Sequence, residues 1–317
     1  MSRYSISQIS RNDVENVWLN SPQSSVFTHP NVLEEFAKEV HWWAVFKGQE
    51  IQCIWPITLN AKKEPFIPPF SYWQGPMWTS IGINFPNHRS LSKTKPIYEL
   101  FLNTFIEEYG VVKASLHPSL HDVRVFDWWN YHEPNKPKFN IKPRYTALIS
   151  NIQKSNKDIE KNFRVDKRQA LKKFDKIKDS IYFDNTCSEE EFITLYKDKL
   201  KIEKAVTSNE LISLLRIVEK GYGWIQAARK KSNSTLCGLV IIFYHHDQAN
   251  LIINIALNEY KREGLMPASV FKAIGTARDR GLKCFDFNGA NSPARGDDKH
   301  SFDAEPVLYF DIEYKAH

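Results

Sequence analysis

Apolar and polar residues alternate along two stretches in a way that predicts β-hairpins. Residues 41–59, HWWAVFKGQEIQCIWPITL, contain two strand-like runs on either side of a tight Lys47–Gly48 turn. Residues 222–245 repeat this pattern, with two apolar runs around a polar turn. A helix-like stretch precedes each hairpin, over residues 31–40 in the first case and 211–220 in the second. The chain therefore contains the same helix–hairpin unit twice.

Each hairpin is followed by a helix that stops at a glycine and leads into a strand. Apolar residues recur every three or four positions up to Gly110, and residues 111–116 then form a strand-like run. The same spacing leads up to Gly281, before a strand-like run over residues 283–287. The shared order predicts an α+β fold of two tandem domains, each a mixed central sheet flanked by helices. We place these domains at residues 1–150 and 151–317.

Composition narrows the classes of protein to which the chain can belong. Of its 317 residues 42% are apolar, which suffices for a core, and a net charge of +6 is far below that of a dedicated nucleic-acid binder. The four cysteines lie far apart without CxxC spacing, so no disulfide framework or metal site is expected. No apolar signal region begins the chain, and no run reaches the ~18 apolar residues of a membrane span. We therefore expect a cytoplasmic protein with no permanently bound cofactor.

A strongly basic stretch, residues 155–178, predicts a single helix at the start of the second domain. Arg164, Arg168 and Lys172 are spaced by four residues and share one face of this helix. Since Arg side chains pair well with phosphate oxygens, this face suits a diphosphate, and a solvated helix surface is the equal alternative. Two long loops, residues 62–80 and 291–306, are further candidates for a functional role.

A polar turn that contains Gly264 lies between a strand ending near Leu257 and the helix before Gly281. Backbone N–H groups at such a turn and at a helix N-terminus form a site for pyrophosphate. Met266 and Pro267 stand where the pattern needs a small residue and a donating N–H. An ordinary strand–helix turn is therefore the alternative.

In this segment the chain resembles the FemAB-like N-acyltransferases, a family with two GNAT domains. NEYKREGLMP, residues 258–267, is similar to the family's loop before the helix, and FDFNG, residues 285–289, is similar to its next strand. The basic stretch KNFRVDKRQALKK and the loop YWQGP, residues 72–76, match two further family features. The resemblance covers most of the chain in the same order, and it is more specific in the second domain.

The resemblance implies direct transfer of an acyl group from acyl-CoA to an amine, with no covalent enzyme intermediate. It places the CoA-binding residues at the turn and the helix start: Lys261, Arg262, Glu263, Gly264, Leu265, Met266 and Ser269. The acceptor side would include the aromatic loop residues Tyr72, Trp73 and Gln74, besides Arg164, Arg168 and Lys172. Packing of that loop onto its own domain is the competing interpretation.

Four residues at strand positions are the catalytic candidates. Asp286 and His117 are candidate bases for the attacking amine, and each is also compatible with a structural role. Asn254 and Asn288 are candidate donors to the oxyanion, or else caps of a strand end.

The family has two branches that differ in the acyl donor. One branch builds peptidoglycan cross-bridges from aminoacyl-tRNA and is longer, often with an inserted helical arm. The other uses acyl-CoA and includes N-acyltransferases of nucleotide-linked amino sugars for bacterial surface polysaccharide, such as O-antigen. The chain looks closer to the second branch, which implies a dTDP-linked 3-amino-3,6-dideoxyhexose as acceptor. A tRNA-dependent bridge-forming transferase and a non-catalytic nucleotide-sugar-binding protein are the alternatives. The sequence leaves the acyl chain, the sugar and the oligomeric state open.

Overall fold

The computed structural model describes residues 4–79, 87–200 and 206–316. The chain divides into two compact units, Met1–Arg144 with Leu308–His317 and Tyr145–Val307. Each boundary falls inside a strand. Sequence alone places the division at 150/151 and assigns the C-terminus to the second domain. The C-terminal residues belong to the first unit because their strand pairs with a strand of that unit.

The described helices and strands are numbered in chain order. They are β1 (Ser5–Gln8), α1 (Arg11–Asn20), α2 (Pro30–Phe36), β2 (Glu39–Lys47), β3 (Glu50–Leu59), β4 (Met77–Trp78), α3 (Asn87–Tyr109), β5 (Val111–Ser115), α4 (Arg124–Asp127), β6 (Asn140–Ile149), α5 (Asn156–Asn162), α6 (Val165–Asp175), β7 (Ile181–Asp184), α7 (Glu189–Leu200), α8 (Ser208–Ile217), β8 (Gly223–Lys230), β9 (Leu236–His245), β10 (Gln248–Ala256), α9 (Asn258–Arg262), α10 (Leu265–Asp279), β11 (Cys284–Asp286), α11 (Pro293–His300) and β12 (Glu305–Lys315).

The first unit is built on an antiparallel sheet of strands β1, β2, β3 and β4, in that order. Trp55 of β3 packs edge-on against Phe101 and Phe105 of α3, with ring centroids 5.6 and 5.2 Å apart. These two phenylalanines are four residues apart and so share one face of the helix. Strand β12 pairs with β5 and adds Ile312 to the same core. The C-terminal strand thus completes the first unit.

The second unit has strands in the order β6-β11-β10-β9-β8-β7. Strands β10 and β11 are parallel and are connected through α10, while β11–β6, β10–β9, β9–β8 and β8–β7 pair antiparallel. Helix α10 packs against β8, β9 and β10. The core beneath it includes Phe285 and Phe287, which flank Asp286 on the polypeptide. The alternation of side chains along a strand therefore directs Asp286 away from this core.

The predicted pattern of elements is confirmed in both units. The two hairpins are β2–β3 and β8–β9, and the two helix–strand pieces are α3–β5 and α10–β11. The helix expected over residues 31–40 is shorter, because α2 ends at Phe36 and β2 begins at Glu39. Among the residues that the structure describes, no helix combines the length and the apolar character needed to cross a bilayer.

The single helix expected over residues 155–178 is two helices, α5 and α6. The chain turns extended at Phe163, which is buried against the rings of Phe271 and Phe302 at centroid distances of 5.5 and 5.1 Å. The next residue, Arg164, donates its N–H to the carbonyl of Ser301 at 2.8 Å. Burial of one aromatic side chain therefore interrupts a sequence whose local pattern is helical throughout.

Candidate active site

Strands β10 and β11 are paired over only a short length and then part. Their parallel register covers Gln248–Cys284, Ala249–Phe285 and Asn250–Asp286. Strand β11 ends there, whereas β10 continues to Ala256 and has a bulge between Leu251 and Ile253. We call this gap the strand notch. It is formed by residues 251–256 of β10 and by residues 286–289, which are the last residue of β11 and the three that follow it. Such a gap opens backbone and side-chain groups that a continuous ladder would use.

Asp286 is a buried carboxyl at the closed end of the strand notch. It accepts hydrogen bonds from the Thr146 hydroxyl and, at 2.6 Å, from the backbone N–H of Asn288. Burial raises the pKa of Asp286 to about 6, and these two hydrogen bonds, with Lys299 nearby, oppose that rise. A carboxyl whose pKa lies near neutral pH is suited to accept a proton.

Asn288 and Asn254 bring buried amide groups to the strand notch. Asn288 adopts a left-handed backbone conformation with φ of +54°, and its Nδ2 donates across the gap to the carbonyl of Leu251 at 2.9 Å. Within the described structure, the Oδ1 atoms of Asn288 and Asn254 are buried and accept no hydrogen bond. Since buried polar atoms are nearly always paired, these two oxygens mark where a donor from a ligand would fit.

Lys299 of α11 holds the chain that follows β11. Its ammonium donates to the carbonyl oxygens of Phe287, Asn288 and Gly289 at 2.7, 2.8 and 2.8 Å. Burial lowers the pKa of Lys299 to about 8, although Asp286 acts in the opposite direction. Sequence reasoning selected the loop of residues 291–306 but did not select Lys299 within it, because only the fold brings these carbonyls together.

Two ion pairs link helix α11 to α6. Arg164 bridges two carboxylates, with 2.8 Å from its Nε to Asp166 Oδ1 and 2.6 Å from its Nη1 to Asp297 Oδ1. Both carboxylates raise the pKa of Arg164. Lys167, which is buried, pairs with Asp298 of α11. The basic stretch therefore uses two of its cations to position the helix that carries Lys299.

The remaining members of the predicted basic face do not act as one surface with Arg164. Arg168 donates from Nη1 to the carbonyl of Lys161 at 3.0 Å and also to that of Phe163, so it caps the end of α5. Lys172 lies exposed on α6. Arg164, Arg168 and Lys172 keep their spacing of four residues along α6, because the break lies before Arg164. Arg164 and Arg168 already have partners within the protein, whereas Lys172 is the member of this face that lies in solvent.

The turn before α10 is more structured than the sequence indicates. Residues 258–262 form the short helix α9, and Gly264 follows with φ of +83°. A Cβ atom at Gly264 would lie 2.1 Å from the carbonyl oxygen of Ala170 in α6. Glycine is therefore required here by close packing against α6.

The residues expected to contact CoA divide into two groups at this turn. Lys261, Arg262 and Glu263 are exposed, and Met266 is partly exposed. Leu265 and Ser269 lie on the buried face of α10, where Leu265 is part of a hydrophobic core and the Ser269 carbonyl accepts a hydrogen bond from Gln226 at 2.9 Å. The backbone N–H groups of Leu265 and Met266 lie in the first turn of α10 and have no acceptor within the helix.

His117 and the aromatic loop lie together in the first unit. Trp73 is 3% exposed and packs edge-on against His117, with ring centroids 5.6 Å apart. Gln74 is also buried, and Tyr72 packs against Phe27 at 5.4 Å. Packing of the loop onto its own unit therefore accounts for Trp73 and Gln74, while Tyr72 remains partly exposed.

The hydrogen bonds of His117 favour one tautomer of its neutral ring. Its Nδ1 accepts from the backbone N–H of Ser119 at 3.2 Å, so a neutral ring carries its proton on Nε2. Burial lowers the pKa of His117 to about 4, which keeps the ring neutral at pH 7. In this tautomer Nε2 is a hydrogen-bond donor.

Comparison with known proteins identifies the fold. No protein-family model matches the chain, and no curated protein matches it. Among solved structures, FemX is similar with a TM-score of 0.61 and 10% identity, over 97% of this chain and 96% of that chain. A conserved protein of unknown function from Bacteroides thetaiotaomicron has a TM-score of 0.57 and 8% identity, over 98% and 99% of the two chains. A tandem GNAT protein from the clavulanic acid biosynthesis pathway has a TM-score of 0.53 and 10% identity, over 99% of both. The expected α+β fold of two tandem GNAT-like domains is thereby confirmed.

Proposed function

We propose that this protein is an N-acyltransferase that moves an acyl group from acyl-CoA to the amine of a nucleotide-linked amino sugar. The observation that carries the proposal is the strand notch, where two parallel strands part beside an Asp with a pKa of about 6. The tandem GNAT fold, shared with proteins that include FemX, supports the same class of reaction.

The strand notch offers CoA the groups that its pantetheine arm needs. This arm carries two amide N–H groups, and the Oδ1 atoms of Asn254 and Asn288 are buried acceptors without a donor. The N–H groups of Leu265 and Met266 at the start of α10, with Lys261 and Arg262 close by in the chain, would bind pyrophosphate. Pro267 supplies no N–H, so we expect the positive side chains to bear more of the phosphate binding.

Asp286 would act as the base in this reaction. The amine nitrogen forms a bond to the thioester carbonyl carbon, its proton passes to Asp286 directly or through water, and the C–S bond breaks to release CoA thiolate. The pKa of about 6 leaves Asp286 mostly ionised at pH 7. His117, which belongs to the first unit, suits a hydrogen-bond donor better than a base in its Nε2–H tautomer.

Release of CoA thiol is the direct test. The purified chain would be mixed with a series of acyl-CoAs and dTDP-linked 3-amino-3,6-dideoxyhexoses, and free thiol followed with time. We expect release with at least one pair, and Asp286→Asn should lower kcat by about 10²–10⁴-fold. Asp179→Asn, which changes an exposed carboxylate of the same unit, should leave kcat unchanged.

The same assays distinguish an acyl-CoA-dependent transferase from the two alternatives. Absence of thiol release with every pair, together with tight, strongly salt-dependent binding of charged tRNA, would replace this proposal with an aminoacyl-tRNA-dependent transferase. Binding of nucleotide sugar without any CoA binding would instead indicate a non-catalytic protein.

A further inference from the structure

A cavity of about 400 Å³ lies within the first unit, outside the strand notch. We call it the sheet cavity, and besides the apolar Ile67 and Ile312 its lining consists of Phe66, Lys113, Asn140, Lys142, Asp311 and Glu313. Its size lies within the range of about 300–1,000 Å³ that small-molecule sites occupy. Nothing in the proposed chemistry of the second unit uses these residues.

Strand register explains why this face is polar. Asp311 is paired with Ser115 and Glu313 with Lys113, so these four side chains lie on one face of β5 and β12. Ala114 and Ile312, between them, belong to the core on the other face. Because Leu116 also points into that core, His117 follows Ser115 on the same side as the sheet cavity.

The charges of the sheet cavity largely neutralise one another. Lys113 Nζ lies 3.3 Å from Glu313 Oε1, and Arg144 Nε lies 3.1 Å from Asp311 Oδ2. Burial raises the pKa of Asp311 in spite of its cationic neighbour. A strongly charged ligand would find little unpaired charge here, whereas a neutral ligand with many hydroxyl groups could both donate to the carboxylates and accept from Lys and Asn.

The aromatic side of the sheet cavity is held in place by the end of β3. The backbone N–H of Phe66 donates to the carbonyl of Thr58 at 3.1 Å, and the Thr58 hydroxyl donates back to the Phe66 carbonyl at 2.5 Å. A bridge between Leu59 and Pro65 fixes the same segment. Phe66 thus adds a preorganised apolar surface to the lining of the sheet cavity.

We propose that the sheet cavity binds a sugar ring, with its hydroxyl groups on Asp311, Glu313, Lys113 and Asn140 and its C–H surface against Phe66. This inference concerns the first unit alone and goes beyond the proposed function. Sugar binding itself does not depend on it. His117, farther along the same face, would then donate a hydrogen bond to the bound sugar.

Binding can be measured without acyl-CoA. The full chain would be tested with 3-amino-3-deoxy-D-glucose, D-glucose and dTDP by saturation-transfer NMR and by hydrogen exchange. We expect saturation of the sugar protons and slower exchange in residues 62–70 and 308–316. Asp311→Asn and Glu313→Gln should weaken sugar binding by about tenfold or more, because each replaces a charged acceptor by a weaker one. Glu133→Gln, which breaks an exposed pair with Lys136 elsewhere in the unit, should bind as the wild type does.

Three results would overturn the inference. They are absence of sugar binding, unchanged binding in both cavity variants, and protection of residues 308–316 by dTDP but not by sugar. If a variant does not fold, the exchange experiment on the wild-type chain decides between these outcomes by itself. Sugar binding without thiol release would refute the proposed function and leave this site standing, whereas thiol release without sugar at this site would do the reverse.

Discussion

Asp286 is held between two core phenylalanines, on the side of the strand that faces away from them. Burial raises the pKa of its carboxyl, and the hydrogen bonds from Thr146 and from the N–H of Asn288 offset only part of that rise. The pKa of the neighbouring Lys299 is shifted in the opposite direction, down to about 8. Environments that separate two pKa values in this way are typical of acid–base sites.

We expect the free energy of unfolding to depend on Asp286 between pH 4 and 6. In this range the native state keeps a proton that the unfolded chain has released, so the native state binds more protons and stability falls as pH rises. The size of the fall should be about 2–3 kcal/mol. Denaturant unfolding at pH 4, 5 and 6 would measure it.

The matched variants are Asp286→Asn and the exposed Asp179→Asn. The first should remove this part of the pH dependence, and the second should retain it. Equal pH dependence in Asp286→Asn and the wild type would show that Asp286 titrates normally.

The proposed acyl transfer should have a bell-shaped pH dependence. The rate should rise through pH 6 as Asp286 ionises, and fall through pH 8 as Lys299 loses a proton and one of its three carbonyl contacts. Initial rates of thiol release from pH 5 to 9 would test both limbs. Lys299→Gln should flatten the alkaline limb, and an unchanged limb in that variant would assign it to another group.

Helix α6 contacts both sides of the candidate active site. At one point its Ala170 carbonyl packs against Gly264, next to the start of α10. At its N-terminal end, Arg164 and Lys167 pair with Asp297 and Asp298 of α11, the helix that carries Lys299. The basic residues that suggest a phosphate clamp thus have, in part, a positioning role between elements.

Gly264 and Gly281 allow the packing against α6 to be measured. Both have φ of +83°, but a Cβ at Gly264 would meet Ala170 at 2.1 Å, and one at Gly281 would meet nothing within 4 Å. Gly281→Ala should cost about 1 kcal/mol from backbone strain alone, and Gly264→Ala about 2 kcal/mol or more beyond that. Chemical denaturation gives both values, and similar losses would contradict the close packing.

At the scale of the whole molecule, the N-terminal and C-terminal segments belong to the same unit. The first unit takes in residues from the N-terminus and from 308 onward, with β12 paired to β5. Removal of residues 308–317 would therefore take a strand and the core residues Ile312 and Tyr314 from a distant part of the sequence.

A chain that ends at residue 307 should lose the structure of the first unit and keep that of the second. Eight tryptophans lie in the first unit and Trp224 alone in the second, so the fluorescence spectrum should shift to that of exposed indole. Persistence of protected amides in β8 to β10 by hydrogen exchange is the control for the second unit. Native fluorescence in the shortened chain would contradict the prediction.

The sequence by itself determined the elements and their repetition, because helix and strand periodicity and the stops at Gly110 and Gly281 are local properties of the chain. It also selected Asp286, Asn254 and Asn288 as candidates, which lie on β10 and at the end of β11, and their catalytic roles stay predictions. The break at Phe163 and the role of Lys299 were decided only by tertiary structure. Each depends on atoms ten or more residues away in sequence: the rings of Phe271 and Phe302 in one case, the carbonyls of residues 287–289 in the other. Local pattern sets which segments are helix or strand, and long-range burial sets which polar groups lose water and so change their pKa.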